Sequence, residues 1–302
     1  MPVALGLGAG AALGWSWQQG VAVGAIISVA STMVLSRFLT ERGELRSEAG
    51  QVMIAITLVE DLAVLLLTVL LPSLTDLSSD RLLNLGIALG KALLLLIPVT
   101  FIAHKLLPRL MRRVVQAANP EFFVLVALAL GLITAAITEA IGLSLALGAF
   151  LAGLLVSESK TGHETLQHLL PLRDAFVALF FVTMGILVNP RILVSKPSLL
   201  LVIVALVVIG KLVIWVLVVK LFRYPTRTAL LVGLGLTQIG EFSYVLVRVA
   251  REAHIVGDDM YNAVLAASVV TILINGLLLK LAGKVSDDGD PTSGAKKKSL
   301  DG

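Results

Sequence analysis

Two adjacent acids, Glu60 and Asp61, stand in the middle of an apolar run from Gln51 to Pro72 that is long enough to cross a bilayer. A charged side chain at the centre of a lipid-facing helix costs about 2.5–3.5 kcal/mol on the insertion scale. Two in a row are poorly explained as packing, and an ion or proton site is a better account of them than an idle buried salt bridge. Neighbours on a helix point about 100° apart, so the two carboxylates face different partners rather than chelating as one unit.

Three other stretches bring matching chemistry. Lys211 lies inside an apolar run near residues 198–219. The stretch GAIISVASTMVLSRF sets Ser28, Ser31 and Thr32 among small residues, and LVGLGLTQIGEFSYVL sets Thr237, Gln238, Gly240, Glu241 and Ser243 deep in another span. Glycine and hydroxyl clusters beside a buried acid suit broken helices, whose freed carbonyls and amides line an ion pocket. An unbroken helix with back-bonded Ser and Thr is the plainer alternative. A carboxylate in a partly dry pocket holds either a proton or a monovalent cation, and competition for the same oxygens couples their opposite movements. Oxygens from Asp61, from the hydroxyl of Ser31 or Thr32 and from opened backbone suit Na⁺ or K⁺ and discriminate little between them.

The elements that must position these groups follow from composition. The chain has 302 residues, of which 57% are hydrophobic and only 15% charged. Soluble domains carry about 25% charge, so this is an integral membrane protein with one membrane domain. Apolar runs of about 20 residues predict ten spans, near residues 2–18, 20–37, 50–72, 82–104, 121–138, 142–157, 172–188, 198–219, 228–250 and 260–279. The sixth, GLSLALGAFLAGLLVSES, is rich in small residues that let helices approach closely. Its glycines follow no strand and precede no Lys-Ser/Thr pair, so they are not a nucleotide loop.

Basic residues test the topology. Arg37, Arg42, Arg46, Lys105, Arg109, Arg112, Arg113, Lys160, Arg173, Lys220, Arg223, Arg227 and the lysines after Leu279 fall on one side. Only Arg81, Arg191, Lys196, Arg248 and Arg251 fall on the other. The positive-inside rule makes the first side cytoplasmic and puts both termini there. Glu60 then lies about 16 Å into the membrane and Lys211 about 14 Å from the same face. Groups of opposite charge at one depth are natural partners, so Lys211 is expected within salt-bridge reach of Glu60 or Asp61, and Thr32 and Gln238, each in the polar stretch of its interrupted span, are expected to approach each other. Lys91 also lies deep, with no acid beside it, and is left unassigned. Residues 284–302 are polar and read as a disordered cytoplasmic tail.

Several classes drop out. Without cysteine there are no disulfides and no thiolate chemistry. His104, His163, His168 and His254 sit near span ends or in loops, so no metal centre, cofactor or enzyme active site is expected. The net charge of +4 is explained by loop lysines and arginines and not by nucleic-acid binding. No signal peptide is visible, because Met1–Gly10 lacks a basic start. The first three and last three spans have opposite orientations, each set with its polar-rich member in the middle. That is the pattern of an inverted-repeat transporter with its site at the repeat interface.

These stretches, with VEDLAVLLL and LFFVTMGILVNP, resemble in order the bacterial monovalent cation:proton antiporters of the Kef-type, potassium/proton branch, from Pro2 to about Leu281. The resemblance implies a sodium/proton-antiporter-like fold, with two crossed discontinuous helices in the second and ninth spans, a core over 1–72 and 198–281, and a dimer-forming panel within 82–188. It implies a homodimer in the bacterial plasma membrane, working by elevator-like alternating access. On the same basis Asp61 matches the ion-binding aspartate, Glu60 the variable acid or amide before it, and Lys211 the membrane lysine that pairs with an acid. Ser31, Thr32, Gln238 and Glu241 support the crossed-helix site. Relative to that family the chain reads as shortened at its N-terminus and without the cytosolic nucleotide-binding domain. A gated K⁺ efflux pathway, and a fragment that transports only with a partner, are the alternative functions.

Overall fold

The computed structural model describes residues 2–75, 86, 90, 120–140, 145–157, 162–188 and 190–287. The fourth predicted span, Lys91 and most of the tail lie outside the described residues. Everything ordered into regular structure within them is helical, and five helices are long and apolar enough to cross a membrane.

The chain opens with α1, Pro2–Leu13, and α2, Trp17–Ser28. The first span was expected to reach residue 18, but α1 stops after 12 residues. Two local signals end it. Gly14 takes a φ of +72°, which only glycine adopts freely. Ser16 and Gln19 then form a capping box: Gln19 N–H donates to Ser16 Oγ at 3.2 Å, and Ser16 N–H to Gln19 Oε1 at 3.0 Å. At about 1.5 Å per residue, the 12 residues of α1 run about 18 Å. It packs against α2 through Gly6, Gly20 and Gly24, where any Cβ would collide with the facing backbone.

Both stretches expected to be interrupted are interrupted. Residues 29–31 separate α2 from α3, Thr32–Glu41, with Val29 and Ser31 extended. Residues 236–241 separate α11, Thr226–Gly235, from α12, Phe242–Glu252. Between them in sequence run α4, Glu48–Ser73; α5, Pro120–Ala140; α6, Leu145–Ser157; α7, Gly162–Leu187; and the single turn α8, Ile192–Ser195. Next come α9, Pro197–Ala205, and α10, Lys211–Leu221, joined without a gap by a π-helical turn at Leu206–Gly210. The chain closes with α13, Asp258–Asp287. Two boundaries correct the sequence reading. Helix α7 begins at Gly162, ten residues before the apolar run, because the polar segment ahead of it is helical too. Helix α13 continues through residues 284–287, which were assigned to a disordered tail.

The chain divides into two compact units, Met1–Leu67 with Gly185–Gly302, and Thr68–Met184. The first contains all the candidate site residues. In it Ala30, Leu35, Leu39, Met53, Val219, Ala229, Val232 and Leu236 form a buried apolar cluster that brings α3, α4, α10 and α11 together. Helix α4 shows how the pattern works. Met53, Thr57, Glu60 and Val64, spaced by four, three and four, line its buried seam, while Leu58, Val59, Leu62 and Leu66 are exposed, as on a lipid-facing surface. In the second unit Gly148 of α6 lies against Ala135 and Thr138 of α5, the close approach expected of the small-residue span. Gly153 of the same helix meets nothing.

Candidate functional site

The two interruptions touch. Gly240 N–H donates to Val29 C=O at 2.9 Å, and a Cβ on Gly240 would lie 2.5 Å from Ala30 O. The residue between the breaks must therefore be glycine, for space rather than for its φ. Each break exposes backbone groups that helix geometry would otherwise satisfy, and side chains from neighbouring helices meet them.

Helix α4 enters at the first break. Its start is tied to α11, where Thr228 Oγ1 donates to Glu48 Oε2 at 2.7 Å. Three turns on, Glu60 is buried and its Oε2 accepts from Ala30 N–H at 2.8 Å. Asp61 is half-buried and its Oδ2 accepts from Thr32 Oγ1 at 2.9 Å. Adjacent acids thus bind different members of one break, as the 100° step between them requires. Ser31, between those members, caps α3 by accepting from Val34 N–H at 3.2 Å, and its hydroxyl donates to Glu241.

At the second break Lys211 is wholly buried, and its Nζ donates to the carbonyl of Gln238 at 3.1 Å. It was expected within salt-bridge reach of Glu60 or Asp61. Instead its contact is the carbonyl that the break frees, although Lys211 and Glu60 remain close enough for their charges to act on each other. Gln238, expected to approach Thr32, meets the residue just before it: its Nε2 donates to Ser31 C=O at 3.5 Å. The Glu241 and Asp61 charges likewise act on each other across the junction.

Four oxygens in this cluster, Glu60 Oε1, Asp61 Oδ1, Gln238 Oε1 and Glu241 Oε2, are buried without a hydrogen-bond partner among the described residues. Buried polar atoms are ordinarily satisfied, so four acceptors left over at one junction are unusual. All are hard oxygens, the donor set that suits alkali cations or a proton. Among the described residues no group of His, Cys, Asp and Glu is arranged to hold a metal ion. His254 is exposed in the turn between α12 and α13.

Ser243 of α12, already singled out in the polar stretch, donates to Ile26 C=O at 2.6 Å, meeting a carbonyl at the end of α2. Sequence reasoning passed over a further layer on α13. Ser268, Thr271 and Asn275 of α13 are all buried and face the second break. Ser268 pairs with Tyr244, Thr271 accepts from Ile239 N–H at 3.3 Å, and Asn275 Nδ2 donates to Leu234 C=O at 2.6 Å. Their spacing of three and four residues marks one helix face. That signal was present in the sequence.

A multi-pass helical membrane protein, with buried carboxylates gathered where two broken helices meet, is the class that this fold and site define. The sequence matches the family described as sodium/hydrogen exchanger, transmembrane, over residues 1–284, and the chain belongs to that family. It is 36% identical to YbaL of Escherichia coli, provisionally named a cation/proton antiporter, over 93% of this chain and 52% of that protein. It is 38% identical to K(+) efflux antiporter 5 of Arabidopsis thaliana, over 87% of this chain and 47% of the relative. K(+) efflux antiporter 6 of the same plant is 36% identical, over 87% of this chain and 45% of its own length. The chain spans about half the length of these relatives.

Proposed function

We propose that this chain exchanges a monovalent cation, K⁺ or Na⁺, for protons across a membrane, with Asp61 as the ligand the two share. The observation that carries the reading is Asp61 itself. It sits half-buried at the junction of two helix breaks, with Oδ2 held by Thr32 and Oδ1 without a partner among the described residues. A carboxylate that is positioned by one oxygen and open at the other binds a cation or a proton, but not both, and that exclusion is the coupling. Glu60 and Lys211 offset one another's charge at the two breaks, which leaves Asp61 and Glu241 as the acids facing the junction. Membership of the exchanger family and the antiporter names of its relatives support the reading.

The rest of the mechanism follows the same reading. Access alternates between the two sides of a bacterial plasma membrane, with both termini cytoplasmic. The first three and last three spans form the inverted repeat. Residues 1–72 and 198–281 make the ion-carrying core, and 82–188 the panel through which two copies pair.

The test is cation-induced pH change in proteoliposomes, with Na⁺, K⁺ and Li⁺ supplied in turn. Exchange gives a signal that saturates with cation and reverses with the pH gradient. A signal that follows the cation gradient alone marks a gated pathway, and no signal above protein-free vesicles with any of the three overturns the proposal.

A further inference from the structure

The second break is mended from outside the helix it interrupts. In an unbroken helix Gln238 N–H would donate to Leu234 C=O, and Ile239 N–H to Gly235 C=O. The break removes those donors, and Ile239 N–H meets Thr271 Oγ1 at 3.3 Å instead. Leu234 C=O keeps local donors, Thr237 N–H at 3.3 Å and Thr237 Oγ1 at 2.8 Å, and Asn275 adds to them: its Nδ2 donates to Leu234 C=O at 2.6 Å and to Thr237 Oγ1 at 3.1 Å, and lies 3.4 Å from Gly235 C=O, the carbonyl that Ile239 N–H has left. Thr271 in turn donates to Ser268 C=O at 3.1 Å, so its hydroxyl can only accept from Ile239. One side chain takes the stray amide and the other ties down the carbonyls at the end of α11. Thr271 and Asn275 are four residues apart, on one face of α13, and almost fully buried.

We propose that Thr271 and Asn275 act as a surrogate helical turn for the second break and, through it, set the affinity of the Asp61 site for its cation. They are positioning residues, since neither touches Asp61. The three groups they hold in register are those the site uses. Gln238 C=O receives Lys211, Gly240 N–H reaches Val29, and Glu241 faces Asp61. Gln238 to Glu241 is a run of four residues, and Thr271 grips it at Ile239. The affinity part of the inference rests on Asp61 being the cation ligand.

Two variants and two readouts decide it. Thr271→Val keeps the shape and removes the hydroxyl, so a buried amide loses its acceptor. The half-saturating cation concentration in proteoliposomes should rise about tenfold, the size expected for leaving one buried donor unpaired, while the maximal rate is largely kept. Thr271→Ser, which retains the hydroxyl, should restore the wild-type value. Asn275→Leu should raise it further. Hydrogen exchange in detergent provides the second readout: amides of 236–241 should lose protection in both variants, and those of 29–31 should not. Unchanged half-saturation with a mere loss of melting temperature, or unchanged protection at 236–241, overturns the inference. Wild-type vesicles that exchange no cation would sink the proposed function and the affinity claim together. Hydrogen exchange would still judge the surrogate turn.

Discussion

At residues 29–31 the chain leaves its helix with an amide to satisfy, and a carboxylate accepts it; at 236–241 it leaves with a carbonyl, and an ammonium donates into it. The signs follow the helix dipoles. Ala30 precedes the N-terminus of α3, where backbone N–H groups carry partial positive charge, and Glu60 answers it. Gln238 follows the C-terminus of α11, where carbonyls carry partial negative charge, and Lys211 answers that. The supporting layers differ as well. The first break is stitched to helix α12 of the other interrupted pair through Ser243, and the second to the neighbouring α13 through neutral side chains. The division extends to the site, where the first break lends hydroxyls from Ser31 and Thr32 and the second contributes the acid of Glu241. Two breaks that look alike in sequence thus differ in what they hold: the first fixes the carboxylates of Glu60 and Asp61 through an amide and a hydroxyl, and the second receives the ammonium of Lys211.

The comparison can be broken most severely at Lys211. Lys211→Ala removes the donor to Gln238 and leaves Glu60 facing no opposite charge in a dry interior. Such an uncompensated charge costs about 3–5 kcal/mol, and melting in detergent should show a loss of that order. Adding Glu60→Gln should recover part of it. A coupling no larger than about 0.5 kcal/mol in the double-mutant cycle would mean that the two charges do not act as a pair.

Gly240→Ala tests whether the breaks must touch. Its Cβ would stand 2.5 Å from Ala30 O and 2.6 Å from Ala30 C, which are backbone atoms that cannot swing away. Overpacking of this kind costs about 1–3 kcal/mol, and both stability and exchange should fall. Wild-type melting and exchange in this variant would show that the breaks can part without consequence. The smallest effect is expected at Ser243→Ala, where one hydrogen bond to Ile26 C=O is lost. A loss of about 1 kcal/mol, with exchange retained, would fit a stitch that supports the first break without aiming its ligands. Loss of exchange would move Ser243 into the site itself.

How much of this was legible depended on the kind of signal. The breaks themselves could be read, because Ser, Thr, Gly and a buried acid within an apolar run have few other uses in a bilayer. Their partners could not. A lysine and a glutamate at equal depth suggest an ion pair, yet a carbonyl freed by a helix break competes for the same ammonium, and nothing in residue types reveals it. The short α1 was readable in principle, since Gly14 and the Ser16–Gln19 box mark a helix boundary, but the apolar run was long enough to hide them. Ser268, Thr271 and Asn275 escaped for a related reason. Three small polar side chains barely lower the hydropathy of a 30-residue helix, and only their spacing betrays a polar face.

The central claim is that adjacent acids divide the labour, Asp61 carrying the exchanged ion and Glu60 holding the first break. Asp61→Asn and Glu60→Gln, measured side by side for cation-induced pH change in the same proteoliposomes, address it most directly. Both amides keep an oxygen to accept the native hydrogen bond, and neither can titrate. The account predicts no exchange from Asp61→Asn, correctly inserted, and exchange at a reduced rate from Glu60→Gln. Exchange that survives in Asp61→Asn, or vanishes only in Glu60→Gln, would contradict it.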